Sequence, residues 1–248
     1  MTQRLDGQFV AVSPASQDTW LDIFQRDPSA TAFQSPHWMA AASTDGHYVD
    51  ASRLYATPDG QALLPLAETS RLGLKLTAAS MPHGLGAAGL VSDRPLTVPL
   101  VRSIVEDLMR LPYLRIAVRP NALQAPVWEA AVPSTWRKVA RRTHMLDLHE
   151  GYEVWWADRL SQRKRGKIRK AIRDGVVVEH GNSPEFVRRY YDLYLRWTAN
   201  RAARRRLPLM LANWLAARRE PLWKFDATAQ KLGDDLSIYI ASYQGQDA

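Results

Sequence analysis

Seven cations fall within eleven residues, Arg163, Lys164, Arg165, Lys167, Arg169, Lys170 and Arg173, and four arginines follow at 201, 204, 205 and 206. Guanidinium and ammonium groups at this density suit an anion: a phosphate-bearing cofactor, a lipid or sugar phosphate, or RNA. The same pattern also describes a solvated helix face. The chain has 248 residues and a net charge of +8, but the charge is local. Residues 137–206 carry 19 basic and 8 acidic side chains, against 10 and 12 in 1–136 and 4 and 5 in 207–248. All of the excess sits in the middle.

Other chemistries are excluded by what is missing. With no cysteine there is no disulfide framework, thiolate metal site or Cys nucleophile. The six histidines show no H-E-x-x-H or H-x-H spacing, so no metal site is read. No G-x-S-x-G elbow or P-loop occurs, which removes the common hydrolase and NTPase readings. A DNA reader is disfavoured, because no Cys/His finger can form and the basic run leads into no heptad zipper. Gly84-Leu85-Gly86-Ala87-Ala88-Gly89 matches G-x-G-x-x-G, but Pro95 and Pro99 interrupt the helix that a dinucleotide pyrophosphate would need, so the motif reads as a loop. Glu68 and Asp93 could serve as a general base, yet geometry and not residue type selects a base, and no catalytic residue is assigned.

The elements that must position these groups are mixed α and β. Apolar spacing predicts helices over 18–25 and 98–111, and a short one that Ser35 caps and Pro36 opens. Strands are expected at 53–57 and 62–68 around Pro58-Asp59-Gly60, at 74–79 and at 113–118. A boundary is placed at 136, after the proline-containing stretch 120–133, giving domains 1–136 and 137–248. Beyond it, a strand is expected at 144–148 and a long helix over 152–174, closed by Gly175 and followed by a β run at 176–178. Ser183-Pro184 opens a helix whose Phe186, Val187, Tyr190, Tyr191, Tyr194 and Trp197 read as core. A last strand at 236–243 runs into a turn at 244–247. The N-terminus lacks a signal-peptide pattern and no apolar run is long enough to span a membrane, so the chain reads as cytoplasmic with no transmembrane segment.

The order of short motifs resembles a known family. Phe33-Gln34-Ser35-Pro36-x-Trp38, Leu64-Pro65-Leu66, and Pro82-x-Gly84 leading to Gly89-Leu90-Val91-x-Asp93 are similar to the first domain of the Fem-like (FemAB-type) branch of the GNAT acyltransferases. Thr143-His144-Met145-Leu146-Asp147-Leu148, the basic run 163–171, Gly175-Val176 and the Pro184 helix resemble the start of that branch's second domain. The likeness runs from about 17 to 243. It departs at Met81, which stands where the acyl-CoA pyrophosphate loop of acetyltransferases has Gln or Arg.

The resemblance implies an α/β fold with mixed sheets: a GNAT-like acceptor-side domain over 1–136, then part of a second, donor-side GNAT-like domain over 137–248. Because the strand at 236–243 resembles an early strand of that second domain, its later strands are expected beyond Ala248. The implied activity is transfer of an acyl group, acetyl foremost, from acyl-CoA to an amino group of a small-molecule, cell-wall or polysaccharide-related acceptor. Aminoacyl-tRNA is the alternative donor. The resemblance places Trp38, Asp93 and Arg169 at the acceptor, and the basic helix contributes Arg165, Lys167 and Arg169 as anion ligands, with no metal. A non-catalytic RNA-binding module using 137–206 is the competing reading.

Overall fold

In the computed structural model the described residues are 2–5, 9–57, 60–81 and 88–247, and the chain divides into two compact units, Met1–Ala140 and Arg141–Ala248. Helix accounts for 46% and strand for 20%, in sheets with antiparallel and parallel pairs, so the class is mixed α/β. No helix among the described residues is long and apolar enough to cross a membrane.

The first unit opens with the hairpin β1 (Thr2–Leu5) and β2 (Phe9–Val12). Helix α1 (Gln17–Arg26) is capped by Ser16, whose Oγ accepts the Thr19 N–H at 3.2 Å, and it stops at Asp27, where Pro28 disfavours another helical residue. Ser35 caps α2 (Pro36–Ala42) in the same way, accepting the Trp38 N–H at 3.1 Å. Then come β3 (Val49–Asp50), β4 (Arg53–Thr57), β5 (Gly60–Leu64), β6 (Ala67–Arg71), β7 (Leu74–Ala79) and β8 (Val91–Ser92). They are followed by α3 (Val98–Met109), β9 (Arg115–Ala117) and α4 (Ala125–Ala131).

One sheet runs β1-β2-β4-β5-β8 and is wholly antiparallel; the other runs β3-β6-β7-β9. The expected strand at 62–68 is divided between them at Pro65, which has no N–H to give to a ladder. β7 and β9 pair in parallel, Thr77 opposite Arg115, as a connection through α3 permits. Alternation along β5 sends Leu63 into one cluster with Trp20, Ile23, Met39 and Val91, and Leu64 into another with Val101, Ile104, Leu108 and Trp128. The five-stranded sheet is therefore covered on both faces, by α1–α2 and by α3–α4.

A charged contact lies inside that second cluster. Arg53 on β4 donates to Asp107 on α3 through Nε at 2.7 Å and Nη2 at 2.9 Å, and the Tyr55 hydroxyl donates to the same carboxylate at 2.9 Å. Asp107 is 1% exposed. Burial, with the Asp107 charge beside it, raises the Tyr55 phenol well above its ordinary value, so it stays a donor.

Residues 137–148, which span the boundary between the two units, form neither helix nor strand. The strand expected at 144–148 is absent because no neighbouring strand pairs with it, and Met145, Leu146 and Leu148 are more than half exposed. The long helix expected over 152–174 is broken. α5 (Tyr152–Val154) passes into a π-turn (Trp155–Arg159), Leu160 is extended, and α6 (Gln162–Arg173) begins afresh. The Leu160 N–H reaching back to the Trp155 carbonyl at 3.0 Å makes this wide turn. At the far end Gly175 takes φ +88° and α6 closes with the Val176 N–H on the Ala171 carbonyl.

β10 (Val177–Gly181), α7 (Pro184–Arg204), α8 (Leu209–Arg219), α9 (Leu222–Leu232), β11 (Ile238–Tyr243) and β12 (Gln246–Asp247) complete the second unit, in a sheet ordered β10-β11-β12. The turn expected after β11 is a two-residue hairpin, Gln244 and Gly245 both at positive φ, that returns the chain into β12. α8 and α9 were not expected. Of the aromatic stripe on α7, Val187 is buried, and Tyr190, Tyr191 and Tyr194 gather round Phe225 of α9 with centroids 5.6–6.0 Å apart. The expectation that all six are core holds only for Val187: Phe186, Tyr191 and Tyr194 are half-buried, Tyr190 is 41% exposed and Trp197 56%, because the stripe is wider and longer than what packs on it.

Replacing Asp107 with Ala leaves the Arg53 guanidinium buried without its counter-ion, the Tyr55 hydroxyl at 3.3 Å being its remaining partner, and urea unfolding of the first unit is expected to show a loss of about 3–5 kcal/mol. Tyr55→Phe removes one hydrogen bond and costs about 1 kcal/mol. Equal losses for the two variants would contradict an ion pair as the organising contact.

Candidate anion-binding site

The break at Leu160 is what isolates the basic segment. Restarting the helix at Gln162 leaves carbonyls of the preceding turn without intrahelical partners, and the Arg165 Nη1 donates to those of Trp156, at 3.0 Å, and Ala157. Arg165 is thus partly committed to holding α6 on the π-turn, although its remaining guanidinium donors are available. Lys170 pairs with Asp174 one turn on. Arg163, Lys164, Lys167, Arg169 and Arg173 have neither a carboxylate nor a carbonyl partner among the described residues.

Helical geometry sorts these groups. Arg163 and Lys167 share one row with Lys170, Arg169 and Arg173 share the next, and Ile168 and Ile172 lie on the opposite side with Lys164 and Arg165. No residue of α6 is buried. The arrangement is a cationic surface nearly three turns long in which like charges repel until an anion is supplied. A polyanion with several phosphate oxygens meets that demand, and the planar guanidinium forks match phosphate bidentately.

The residues expected at an acceptor lie apart in the chain and in kind. Trp38, on α2, is half-buried, edge-on to Phe33 with centroids 4.8 Å apart. Asp93 follows β8 and holds the start of β5: its Oδ1 accepts the Gln61 N–H at 3.0 Å and its Oδ2 lies 3.5 Å from Arg26, while Pro58 and Asp59 of the expected turn lie outside the described residues. No hydrogen bond, ion pair or ring contact joins Trp38 to Asp93 among the described residues. Arg169 belongs to the second unit, exposed on α6.

Glu68 sits on β6 within a cluster that sequence spacing gave no sign of. Lys75 on β7 donates to its Oε2 at 2.8 Å, and the Tyr113 hydroxyl donates to the same atom. Burial pushes this carboxyl up, but the hydrogen bonds from Lys75 and Tyr113 outweigh it and hold it below its ordinary 4.5. A carboxylate so stabilised is a weak base, and both oxygens of Asp93 are engaged, by the Gln61 N–H and Arg26. A second such centre is Arg189 on α7, whose guanidinium forks onto Asp247 at 2.9 Å from two nitrogens and reaches Glu179 at 2.7 Å. It ties the helix to both edge strands and holds the Asp247 carboxyl below its ordinary 3.8.

Most of the glycine motif 84–89 lies outside the described residues. Gly89, at its end, is pressed against the Pro120 backbone and the Gln124 side chain, where a Cβ would not fit. Gln34, fully buried, donates from Nε2 to the Gly89 and Leu90 carbonyls at 3.2 and 2.8 Å. These contacts make Gly89 a packing residue. Among the described residues no three His, Cys, Asp or Glu side chains come together to hold a metal ion.

The fold and site define an α/β protein with an exposed cationic helix. No protein-family model matches the chain, and no curated protein matches it either.

Glu68 and Asp247 both have lowered pKa values in the fold, so their pairs stabilise it above the unfolded values, 4.5 and 3.8, and lose that contribution as pH falls through the folded ones. Urea unfolding stability is expected to decline as pH drops below about 4.5, and Glu68→Gln to flatten the first unit's share of that slope. An unchanged slope in that variant would show that Glu68 is not the titrating group.

Proposed function

We propose that the chain is an acyltransferase that draws its acyl group from a phosphate-bearing donor, acyl-CoA foremost, and passes it to an amino group. The observation that carries the reading is the set of unpaired cations on α6, in particular Arg163 and Lys167 in one row and Arg169 in the next, with no carboxylate partner for any of the three. These residues would hold the donor's phosphates. The resemblance to the Fem-like branch supplies the reaction class, and it extends to a GNAT-like form for each unit and to a cell-wall or polysaccharide-related acceptor.

In such a reaction the neutral amine attacks the thioester carbonyl, a C–N bond forms, the C–S bond breaks, and the thiol leaves with the proton that the amine gives up. Orientation and hydrogen-bond donors for the developing oxyanion are what a protein must provide. No protein nucleophile is needed, in keeping with a chain that has no cysteine. Aminoacyl-tRNA offers the same phosphate chemistry from a different source, as does RNA bound without catalysis.

Thermal unfolding of the full chain with CoA, with acetyl-CoA and with bulk tRNA tests the reading. CoA or acetyl-CoA at a hundredfold excess over its Kd is expected to add about 2.7 kcal/mol. Arg163→Glu, Lys167→Glu and Arg169→Glu together are expected to abolish the response. A response to tRNA alone, falling steeply with salt, would replace acyl-CoA with an RNA partner. No response to any of the three would remove the reading.

A further inference from the structure

The second unit carries another basic surface, and its apolar content sets it apart from α6. Residues 193–219 contain seven arginines and no acidic residue. They form the C-terminal half of α7, the connection at 205–208 and the whole of α8. The hairpin is closed by Arg206, which takes φ +55°, a left-handed position seldom filled by anything but glycine or asparagine, while the Leu207 N–H returns to the Ala202 carbonyl at 3.0 Å.

Within this hairpin the usual partition of side chains is inverted. α8 packs through small residues: Ala216 is buried and its carbonyl accepts from the Tyr194 hydroxyl at 3.5 Å, and Ala202 of α7 is buried near the turn. The large apolar side chains point outward. Leu209, Met210, Leu211, Trp214 and Leu215 are all exposed, Met210 by 88% and Trp214 by 55%, and Trp197 is open to solvent on α7. Met210 and Trp214 stand one turn apart, as do Leu211 and Leu215, so the four make one stripe. Both tryptophans carry an arginine over the ring, Arg201 on Trp197 and Arg218 on Trp214, each with the guanidinium carbon 5.3 Å from the centroid.

We propose that the α7–α8 hairpin docks on the surface of an anionic lipid bilayer, Met210, Leu211, Trp214 and Leu215 entering the boundary between headgroups and acyl chains and the arginines meeting lipid phosphates. An aliphatic stripe, tryptophans at its margin and a rim of arginines form the composition of a helix that lies in the interface. α8 has 11 residues and is too short to span a bilayer, so it lies on the surface. Charge separates this occupant from the alternatives. A second copy of the chain would bring seven arginines against seven, and RNA would engage the arginines and rings but leave Met210, Leu211 and Leu215 in water.

The test is co-sedimentation of the full chain with vesicles of pure phosphatidylcholine and with vesicles of two parts phosphatidylcholine to one of phosphatidylglycerol. Partitioning is expected to be about tenfold or more stronger onto the anionic vesicles. It should fall by a similar factor in the double variant Met210→Glu, Trp214→Glu, whose replaced side chains are exposed. Leu209→Gln with Leu211→Gln gives an independent reading should that variant fail to fold. The triple α6 variant is expected to retain the part of its vesicle binding that the hairpin variants remove, and the hairpin variants to keep their response to CoA, so failure here leaves the α6 reading intact and the reverse. No binding to either vesicle, or binding that survives both hairpin variants, would overturn the proposal. So would self-association that the hairpin variants abolish.

Discussion

Everything in the first unit is arranged round a charge that had to be neutralised out of water. The Arg53–Asp107 pair joins a central strand to the helix that carries the parallel crossover, at a depth where an unpaired ion would cost several kcal/mol. Its fork has one productive geometry, so it fixes the rotation of α3 over the sheet more sharply than the surrounding leucines and valines can. Tyr55 takes up a lone pair that the guanidinium leaves, which makes the site a closed polar group inside an apolar layer. The hydrophobic faces on either side of β5 then have a fixed frame to fill.

The second unit works under the opposite constraint. Three tyrosines of α7 pack round Phe225, while the cations of α6 and the apolar stripe of α8 both face outward. A unit that leaves this much charge and this much hydrocarbon in water keeps little for its own stability. It is suited to contact with other molecules.

Much of this was legible from residue types. Capping serines before Pro36 and Pro184, the Gly175 stop and the apolar spacing of α3 each encode their element locally, and each formed. The misreadings have both local and remote causes. The stretch 144–148 has a strand's composition but nothing to pair with, and Pro65 splits a strand between two sheets. Trp197 sits on a correct helical stripe that outruns its cover. At the site, the density of cations on α6 was plain from sequence. That Arg165 would be drawn back to the Trp156 carbonyl was not, since it depends on a π-turn that no spacing announces. The Glu68–Lys75–Tyr113 cluster likewise unites three elements that only the β6–β7–β9 register brings together.

The exposed stretch 137–148 has an evolutionary reading. Because its backbone makes no ladder and its side chains lie in solvent, residues can be gained or lost there with no packing to repair. Doubling such a segment costs only about 0.6 kcal/mol in chain entropy. A change of length there leaves the buried ion pair of the one unit and the outward-facing surfaces of the other each with its own internal contacts.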